Sequence, residues 1–503
     1  MDVLQNLAQG FMSAMSLEIL LACFIGVLIG TVAGILPGIG PVGAMSLLLP
    51  FSFGLDPGTG LIMLAGIYYG SMYGGSTTSI LVNVPGEATS VVTAIDGYQM
   101  ARKGRAGAAL AVAAIGSFVA GTASVIGLML FAPPLARAAL SFGPPEYFAL
   151  GLAGLILLSN LTGGSFIRSV VMVIIGMMIS TVGIDLITGQ LRFTFGTTVL
   201  QGGIDLLPVI MGLFGLAEIL HVVFKPYQSK EMIKVKFKEL YPTKTELKRS
   251  IWPMLRGTGI GFPMGMMPGP SAFLSTLVSY KVEKQISRHP EQFGKGAIEG
   301  VAGPESANNA ASTGAMIPLL ALGIPFAPPT ALLIGGLMIH GIQPGPLFIT
   351  QHADLFWLVI ASMYIGNVML LVLNLPLVGV FASITRVPAK ILIPIVTVIM
   401  LIGSYSVNNS LFDLWVLLIF GIAGFVMKFA GFEPAPLVIG LVLGSIFEEG
   451  LRQGLIIVEG NFFGFFERPI TAVLLAIAIA VVLWASARAV KRAAAARGRK
   501  PAA

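Results

Sequence analysis

The sequence contains little charge and a single cysteine. Of its 503 residues, 11% are charged and 55% are hydrophobic, and the mean hydropathy is +0.89. Soluble domains carry roughly 25% charged residues, because a soluble surface needs polar cover. The composition therefore excludes a soluble enzyme, a nucleic-acid-binding protein and a disordered chain, and it favours a membrane protein. The lone Cys23 excludes a disulfide framework and a multi-cysteine metal site.

Common enzymatic motifs are missing from the sequence as well. It contains no GxxxxGK[ST] loop, so this chain does not hydrolyse ATP through a P-loop. It contains neither an HExxH zinc motif nor a GxSxG nucleophile elbow. The histidines are scattered along the chain, at His221, His289, His340 and His352. We therefore expect a protein that is not an enzyme and that has no cofactor.

Apolar runs long enough to cross the ~30 Å hydrocarbon core of a bilayer recur along the whole chain. Because only helices and closed barrels span membranes, these runs predict an all-α, polytopic membrane protein with about 11–13 spans. We place the spans near 17–36, 60–82, 106–132, 146–162, 166–188, 199–224, 251–267, 311–340, 354–381, 391–404, 411–428, 435–447 and 470–487.

The basic residues predict which side of the membrane each loop faces. No Lys or Arg precedes Arg102, and most of the later ones cluster in hydrophilic segments at 102–105, 225–249, 281–295, 386–390 and 488–500. Cytoplasmic loops carry an excess of these residues. We therefore expect a bacterial inner membrane protein with a periplasmic N-terminus and a cytoplasmic C-terminus. The N-terminus lacks the basic region of a cleaved signal peptide.

The chain has the appearance of an internal duplication. The sequence GILPG at 34–38 resembles GMMPG at 265–269, and Val84-Pro85 resembles Ile324-Pro325, at offsets of 231 and 240 residues. This pattern predicts a first transmembrane repeat at 1–224, a cytoplasmic linker at 225–250, a second repeat of opposite orientation at 251–467, and an extra helix with a basic tail at 468–503. Inverted repeats with interrupted helices are typical of secondary transporters. A chance match between Pro-Gly pairs is the alternative.

Proline and glycine predict where the helices are interrupted, and polar clusters follow these positions. We expect breaks at Pro37, Pro85, Pro268 and Pro325. Free N-H groups at a helix start attract anions, whereas free carbonyls suit a small cation. The substrate-binding candidates are Gly38, Gly40, Ser76, Thr77, Thr78, Pro270, Ser271, Asn308 and Asn309. The cation-binding candidates are Gly34, Asn83, Glu305, Ser306, Ser312 and Thr313. Close helix packing through small residues is the alternative reading.

Glu305 is the strongest ionisable candidate, because it lies beside Asn308 and Asn309 in an otherwise apolar region, and carboxylates within the membrane are functional candidates by default. Glu87 and Asp96 are weaker candidates, because both precede the basic residues at 102–105, where we expect water, and we expect Glu299 to be solvated too. No Lys or Arg stands out in the middle of a span. An anionic substrate would then be held by helix starts and neutral donors. The scarcity of buried carboxylates favours Na⁺ slightly over H⁺ as the coupling ion.

Five longer motifs carry a resemblance to a known family. They are GILPGIGP (34–41), the run from YGGSTTS to GRAG (73–107), PGPSAF (268–273), GPESANNAASTGAMIPLLALGIP (303–325) and HGIQPGPLF (340–348). Through them the chain resembles the large membrane subunit of tripartite tricarboxylate transporters. The resemblance implies a periplasmic solute-binding protein, a small four-span membrane subunit and a driving cation gradient. It also implies that residues 76–78 and 305–309 line the substrate and ion sites.

The predicted function is cation-coupled secondary uptake of a carboxylate that a periplasmic binding protein delivers. The resemblance implies a tricarboxylate such as citrate, or a related di- or aromatic carboxylate, with Na⁺ or H⁺ as the coupling ion. A channel or exporter for small organic anions with the same broken helices is the alternative. An intramembrane enzyme is disfavoured, because no base lies near a nucleophile and no metal-ligand set is present.

Overall fold

The computed structural model describes residues 3–36, 39–161, 166–185, 187–224, 241–377, 380 and 389–498. These residues form α-helices, short 3₁₀ and π turns, and one small antiparallel hairpin in which β1 (Gly183–Ile184) pairs with β2 (Leu191–Arg192). The predicted helical class is confirmed for this part of the chain. The contacts divide the chain into two compact units. Unit 1 comprises Met1–Leu140, Leu207–Met267 and Ser271–Val426, and unit 2 comprises Ser141–Leu206, Pro268–Pro270 and Met427–Ala503.

The α-helices are numbered here in chain order. Those of the first half are α1 (Val3–Ala14), α2 (Leu17–Ile35), α3 (Gly40–Phe53), α4 (Pro57–Val82), α5 (Val91–Met100), α6 (Ala106–Ala139), α7 (Pro144–Leu161), α8 (Phe166–Ser180), α9 (Leu206–Ile210) and α10 (Ala217–Phe224). Those of the second half are α11 (Lys244–Gly265), α12 (Ser271–Ile286), α13 (Glu299–Gly314), α14 (Met316–Leu322), α15 (Pro328–Ile339), α16 (Phe348–Gln351), α17 (Ala353–Asn374), α18 (Ala389–Asn408), α19 (Leu411–Ala430), α20 (Ala435–Ile457) and α21 (Pro469–Gly498).

Several helical stretches in the described residues are suited to a bilayer. Five are long and apolar enough to cross it, namely Leu17–Ile35, Ala88–Ala139, Leu206–Phe224, Ala353–Asn374 and Leu411–Ala430. Six further apolar helices are shorter, at 10–17 residues. The total of about 11–13 spans stays a prediction, because length and composition single out only the longer helices.

The structure corrects the bounds of several predicted spans. The run at 311–340 is divided among α13, α14 and α15. The break between α14 and α15 follows from Gly323, which adopts a φ of 72°, and from Pro325 after it. The run at 166–188 is helical only to Ser180, and the hairpin follows. In contrast, α20 continues past the predicted end at 447 to Ile457. The helices α1, α3, α5 and α12 did not stand out in the sequence, because they are short or weakly apolar.

Helices α2 and α4 pack with their backbones in direct contact. A Cβ atom added to Gly26, Gly30 or Gly34 of α2 would lie 2.3–2.4 Å from a carbonyl oxygen of α4. The three carbonyls belong to Met63, Ile67 and Ser71, so each glycine faces one turn of the partner helix. Only glycine permits such an approach, which is the usual basis of tight packing between membrane helices.

Helices α11 and α13 repeat this arrangement in the second half of the chain. A Cβ atom added to any of three α11 glycines would lie 2.1–2.2 Å from a carbonyl oxygen of α13. The pairs are Gly257 with Gly303, Gly261 with Ala307, and Gly265 with Ala311. The three α11 glycines follow the three α2 glycines by 231 residues, and the three α13 residues follow the three α4 residues by 240. These are the two offsets found in the sequence. The helix pairs therefore share one register.

Unit 2 has its own packing and its own ion pairs. Helices α8 and α20 meet through glycines, since a Cβ atom on Gly176 would lie 2.0 Å from the carbonyl oxygen of Leu437. The β-hairpin is tied to α20, because the Arg452 guanidinium lies 2.8 Å from a carboxylate oxygen of Asp185. In the same unit, Arg468 lies 2.6 Å from the buried carboxylate of Glu146.

Candidate functional site

A buried carboxylate lies in the interior of unit 1. Glu305, on α13, is 1% exposed. One of its carboxylate oxygens accepts a hydrogen bond of 2.6 Å from the Ser76 hydroxyl on α4, and the other accepts one from the Thr93 hydroxyl on α5. Three helices therefore meet at this carboxylate through neutral donors.

A second carboxylate, that of Glu87, is buried close to the first. Glu87 lies in the irregular segment between α4 and α5, where it caps a short 3₁₀ turn, Ala88–Ser90. Its carboxylate accepts hydrogen bonds from the backbone N-H of Thr89 at 3.2 Å, from the Thr89 hydroxyl, and from the side-chain amide of Asn308 at 3.2 Å. Asn308 follows Glu305 by three residues on α13, so the two carboxylates occupy the same side of that helix. The expectation that Glu87 is in water is wrong, because it is 9% exposed.

Neither carboxylate has a basic partner in the described part of the chain. The ion pairs found there join other groups, and none includes Glu87 or Glu305. An ionised carboxylate without a counter-ion in an apolar interior costs many kcal/mol, and such a group binds a cation or a proton instead. The pair is therefore the site in unit 1 most suited to a positive charge.

Two other carboxylates that were expected to be in water have local structural partners. Asp96 is fully buried, and it accepts hydrogen bonds from the backbone N-H groups of Gly296 and Ala297 and from the Tyr280 hydroxyl. The Glu299 side chain is 12% exposed and forms an ion pair with Arg249 at 2.7 Å. Both expectations of solvation are wrong, because these side chains anchor the start of α13.

One arginine lies inside a predicted span, contrary to the expectation that none stands out. Arg256 is on α11, within the run at 251–267, and its guanidinium lies 2.6 Å from the carboxylate of Glu283 on α12. The Glu283 side chain is 2% exposed. The pair satisfies both charges, so this arginine is not free to hold a substrate anion.

Two small cavities lie between α4, α6, α13 and α17. They contain about 230 and 320 Å³ of space not filled by protein atoms, with room for only about one or two water molecules each. The polar side chains of the first are Tyr73, Ser76, Thr77, Ser117, Glu305 and Asn374. Those of the second are Tyr69, Tyr73, Asn309, Ser312, Thr313 and Asn367. A multi-atom carboxylate fits only if these walls move apart.

Hydrogen bonds join the four helices around the cavities. The Tyr73 hydroxyl of α4 donates to the side-chain oxygen of Asn367 on α17 at 2.5 Å. The amide nitrogen of Asn367 donates to the Thr122 hydroxyl on α6 at 2.9 Å. The Asn309 amide of α13 donates to the Ser117 hydroxyl on α6 at 2.6 Å. These three bonds join hydroxyls and amides, and such groups can bind a carboxylate without a buried positive charge.

The structure brings together seven of the residues selected from the sequence. They contact the two carboxylates or line the two cavities, and they are Ser76, Thr77, Glu305, Asn308, Asn309, Ser312 and Thr313.

Other selected residues have local roles in helix packing. The Thr78 hydroxyl donates to the carbonyl of Gly75 in its own helix. Ser306 is fully buried, and its hydroxyl lies where a side chain on Gly116 would be. Gly34 is one of the α2 glycines packed against α4, and Gly40 begins α3 with a φ of 58°.

The helix-break candidates lie outside regular helices wherever they are described. Asn83 ends α4 in the left-handed conformation with an exposed side chain, and Pro85 follows it. Pro268 and Pro270 lie between α11 and α12, Ser271 begins α12, and Pro325 lies between α14 and α15. Pro37 and Gly38 lie outside the described residues.

Sequence reasoning missed five polar residues around the site. They are Glu87, which was judged weak, and Thr93, Ser117, Asn367 and Asn374. A signal existed for the last two, because Asn367 and Asn374 are seven residues apart in an otherwise apolar run, and buried polar residues in a span line functional interiors. No comparable signal distinguishes Ser117 from other small residues of α6.

Most of the chain is similar to one family of known proteins. Residues 20–439 match the sequence profile of the tripartite tricarboxylate transporter TctA family. A protein of Agrobacterium vitis described as "Uncharacterized 52.8 kDa protein in TAR-I ttuC' 3'region" is 49% identical over 486 residues, which cover 96% of each chain. A second, "Uncharacterized protein in TAR-II ttuC' 3'region" of the same organism, is 47% identical over 225 residues, or 45% of this chain and 93% of that one. No solved structure matches significantly.

Proposed function

The chain belongs to the tripartite tricarboxylate transporter TctA family, and from this premise we propose that it imports a carboxylate by cation-coupled secondary transport. It is a multi-pass membrane transporter and not an enzyme. Family membership implies a tripartite system with a solute-binding protein and a small membrane subunit. We propose that the binding protein is periplasmic and delivers the substrate, and that the small subunit has four spans.

The observation that supports this proposal is the buried polar network between α4, α6, α13 and α17. Its hydroxyl and amide groups are suited to a carboxylate, and its two carboxylates are suited to a cation. The cavities among these groups are too small for a citrate-sized molecule. We infer that this conformation is closed around the site and that substrate enters when one group of helices moves against another.

We propose that the two halves of unit 1 are inverted repeats around this site. The matched registers of α2 with α4 and of α11 with α13 support a duplication. If residue 1 is periplasmic and the linker at 225–250 is cytoplasmic, the two copies cross the membrane in opposite directions. The C-terminus would then be cytoplasmic, in agreement with the basic residues at 488–500.

The membrane potential makes a coupling ion necessary. Importing an anion into a negative cell costs about 2.3 kcal/mol per charge per 100 mV, so a trivalent substrate faces roughly 7 kcal/mol before any concentration gradient. Without an ATPase motif in the chain, co-transported Na⁺ or H⁺ must offset this cost. More cations than substrate charges are needed if the potential is to assist uptake.

Uptake by the reconstituted three-protein system tests the proposal. Proteoliposomes with both membrane subunits should accumulate radiolabelled citrate or another bound carboxylate only when the binding protein and a cation gradient are present. Thr77→Ala and Asn309→Ala should each lower the initial rate about tenfold, the effect of one hydrogen bond of about 1.4 kcal/mol. Thr258→Ala is the matched control, because the Thr258 hydroxyl bonds to Met254 of its own helix.

Two results would refute the proposal. Citrate flux that needs neither binding protein nor gradient would identify a channel or an exporter. Normal uptake in both Thr77→Ala and Asn309→Ala would show that the substrate does not bind at this network.

A further inference from the structure

Building on the proposed function, we propose that Glu87 and Glu305 form a two-carboxylate proton site that carries the coupling charge. In each cycle both carboxylates would take up a proton from the periplasmic side and release it to the cytoplasm. No bond other than the O-H bond of each carboxylic acid forms or breaks. The two protons would offset two negative charges of the substrate.

The absence of counter-ions is the first observation that supports this site. Glu87 and Glu305 are 9% and 1% exposed, and no ion pair among the described residues includes either one. The charged groups on neighbouring elements are already satisfied elsewhere. Arg256 of α11 is paired with Glu283 of α12, and Asp96 of α5 accepts three hydrogen bonds.

The remaining titratable groups near the site carry no positive charge. On α4 they are Tyr68, Tyr69 and Tyr73, which are 2–9% exposed. On α13 Glu299 is paired with Arg249. Helix α6 contributes Arg137 in its last turn, and α17 contributes Asp354 in its first turn and Tyr364, whose hydroxyl donates to the sulfur of Met129. A positive charge for the two carboxylates must therefore come from a bound cation or proton.

Two amide oxygens without donors are the second, independent observation. Among the described residues no donor reaches the side-chain oxygen of Asn308 or that of Asn374, and these residues are 0% and 5% exposed. The amide of Asn308 contacts Glu87, and Asn374 lines the cavity of Glu305. One unsatisfied acceptor thus belongs to the side chain that contacts Glu87 and the other to the wall of the Glu305 cavity, and the O-H group of a protonated carboxyl is the donor that such an acceptor lacks.

The surroundings of Glu87 favour a proton over a metal ion. Its oxygens accept from two N-H groups, of Thr89 and Asn308, and from the Thr89 hydroxyl. These N-H groups direct hydrogen atoms at the carboxylate and cannot coordinate a cation. A metal ion needs several oxygen ligands, whereas a proton needs one oxygen. The sequence slightly favoured Na⁺ because few carboxylates were expected to be buried. Because Glu87 is also buried, this argument for Na⁺ no longer holds.

The decisive measurement compares gradient-driven uptake with exchange. Glutamine resembles a permanently protonated glutamate, so Glu87→Gln and Glu305→Gln should retain counterflow of labelled substrate at equal pH within about twofold. The accumulation that an alkaline-inside pH gradient drives should be at least tenfold lower in both variants than in the wild-type complex. Glu291→Gln, at a side chain that is 63% exposed, should behave as wild type.

Three results would overturn the proposal. The first is wild-type accumulation that follows an imposed Na⁺ gradient and does not respond to the pH gradient. The second is pH-driven accumulation at the wild-type level in the glutamine variants. The third is a loss of counterflow in glutamine variants that remain monodisperse.

A measurement on the wild-type complex decides the matter if the variants do not fold. A pH-sensitive dye inside the liposomes should report acidification when substrate and binding protein are added outside. Unchanged internal pH during substrate entry would refute the proton site. Failure of the proposed function gives a different result, because wild-type counterflow would then be absent.

Discussion

The Ser76 hydroxyl on α4 donates a hydrogen bond of 2.6 Å to the carboxylate of Glu305 on α13, 229 residues further along the chain. It is one of the bonds that join the two halves of unit 1, and it ends on a carboxylate proposed to change its charge during transport. A hydrogen bond to a charged group contributes about 1.5–3 kcal/mol. The strength of this contact should therefore change whenever Glu305 gains or loses a proton.

We expect Ser76→Ala to lower the initial uptake rate by about 10–100-fold, the loss that follows from this hydrogen-bond energy. Uptake in proteoliposomes with the binding protein measures the effect. Ser46→Ala is the control, because Ser46 is equally buried but its hydroxyl bonds to Val42 within its own helix. Equal uptake in the two variants would contradict a role of Ser76 beyond helix packing.

The glycine contacts lead to a prediction about stability. A Cβ atom at Gly261 of α11 would lie 2.2 Å from the Ala307 carbonyl oxygen, whereas one at Gly259 would meet no atom within 4 Å. Gly261→Ala should therefore destabilise the protein by about 1–3 kcal/mol through overpacking. Gly259→Ala should be neutral or stabilise it by up to about 1 kcal/mol, because alanine favours the helix.

Thermal unfolding in detergent, followed by the loss of the monodisperse fraction, distinguishes the two glycine variants. The same comparison at Gly30 of α2 tests whether the two halves use equivalent contacts. If Gly261→Ala melts at the temperature of Gly259→Ala, the tight approach of α11 and α13 is not required for stability.

Much of the helical architecture was predictable because hydrophobicity alone determines it. The runs at 17–36, 60–82 and 354–381 begin and end within a few residues of α2, α4 and α17, except that α17 ends at Asn374. Short helices such as α5 were not predictable. Their residues are held by contacts with the longer helices and carry no clear periodic signal.

The burial of Glu87 depends on a long-range contact that its sequence neighbours do not reveal. The segment after α4 folds back on that helix, so the N-H of Gly86 donates to the carbonyl of Gly75. A side chain on Gly75 would collide with Glu87 at 2.6 Å. The basic residues at 102–105 suggested water, but helix α5 (Val91–Met100) lies between them and Glu87 in the chain.

The anchor at the start of α13 provides a third prediction. Asp96 accepts from Gly296 N-H at 2.7 Å, from Ala297 N-H at 2.9 Å and from the Tyr280 hydroxyl at 2.9 Å. Asp96→Asn places an amide N-H against one of these donors, so it should destabilise the protein by about 2–3 kcal/mol. Tyr280→Phe removes one donor only and should cost about 1 kcal/mol.

The double variant separates this anchor from unrelated losses. The unfolding free energies of Asp96→Asn, Tyr280→Phe and their combination should not be additive, because the two residues share one hydrogen bond. Additive losses in detergent would show that the hydroxyl of Tyr280 does not stabilise Asp96.

The hairpin of unit 2 gives a prediction about pH. The Arg452 guanidinium, and after it the backbone N-H of Ile187, hold the pKa of the Asp185 carboxyl well below its usual range. A carboxylate with a lowered pKa stabilises the folded state above its unfolded pKa of about 3.9, and this effect is lost as the pH falls through the folded pKa. The hairpin should therefore be equally protected from pH 8 to about pH 5.

Hydrogen exchange at Ile187 and Thr188, corrected for its intrinsic pH dependence, measures this protection. In the wild type it should stay constant over that window, and Asp185→Asn should lower it at every pH in the window. Arg452→Ala should return the pKa of Asp185 toward its ordinary value, so protection should begin to fall as the pH approaches about 4. Glu459→Gln, at an exposed side chain, should leave exchange unchanged. If Arg452→Ala keeps wild-type protection down to about pH 4, the backbone hydrogen bonds of the hairpin turn hold the Asp185 carboxylate without help from Arg452.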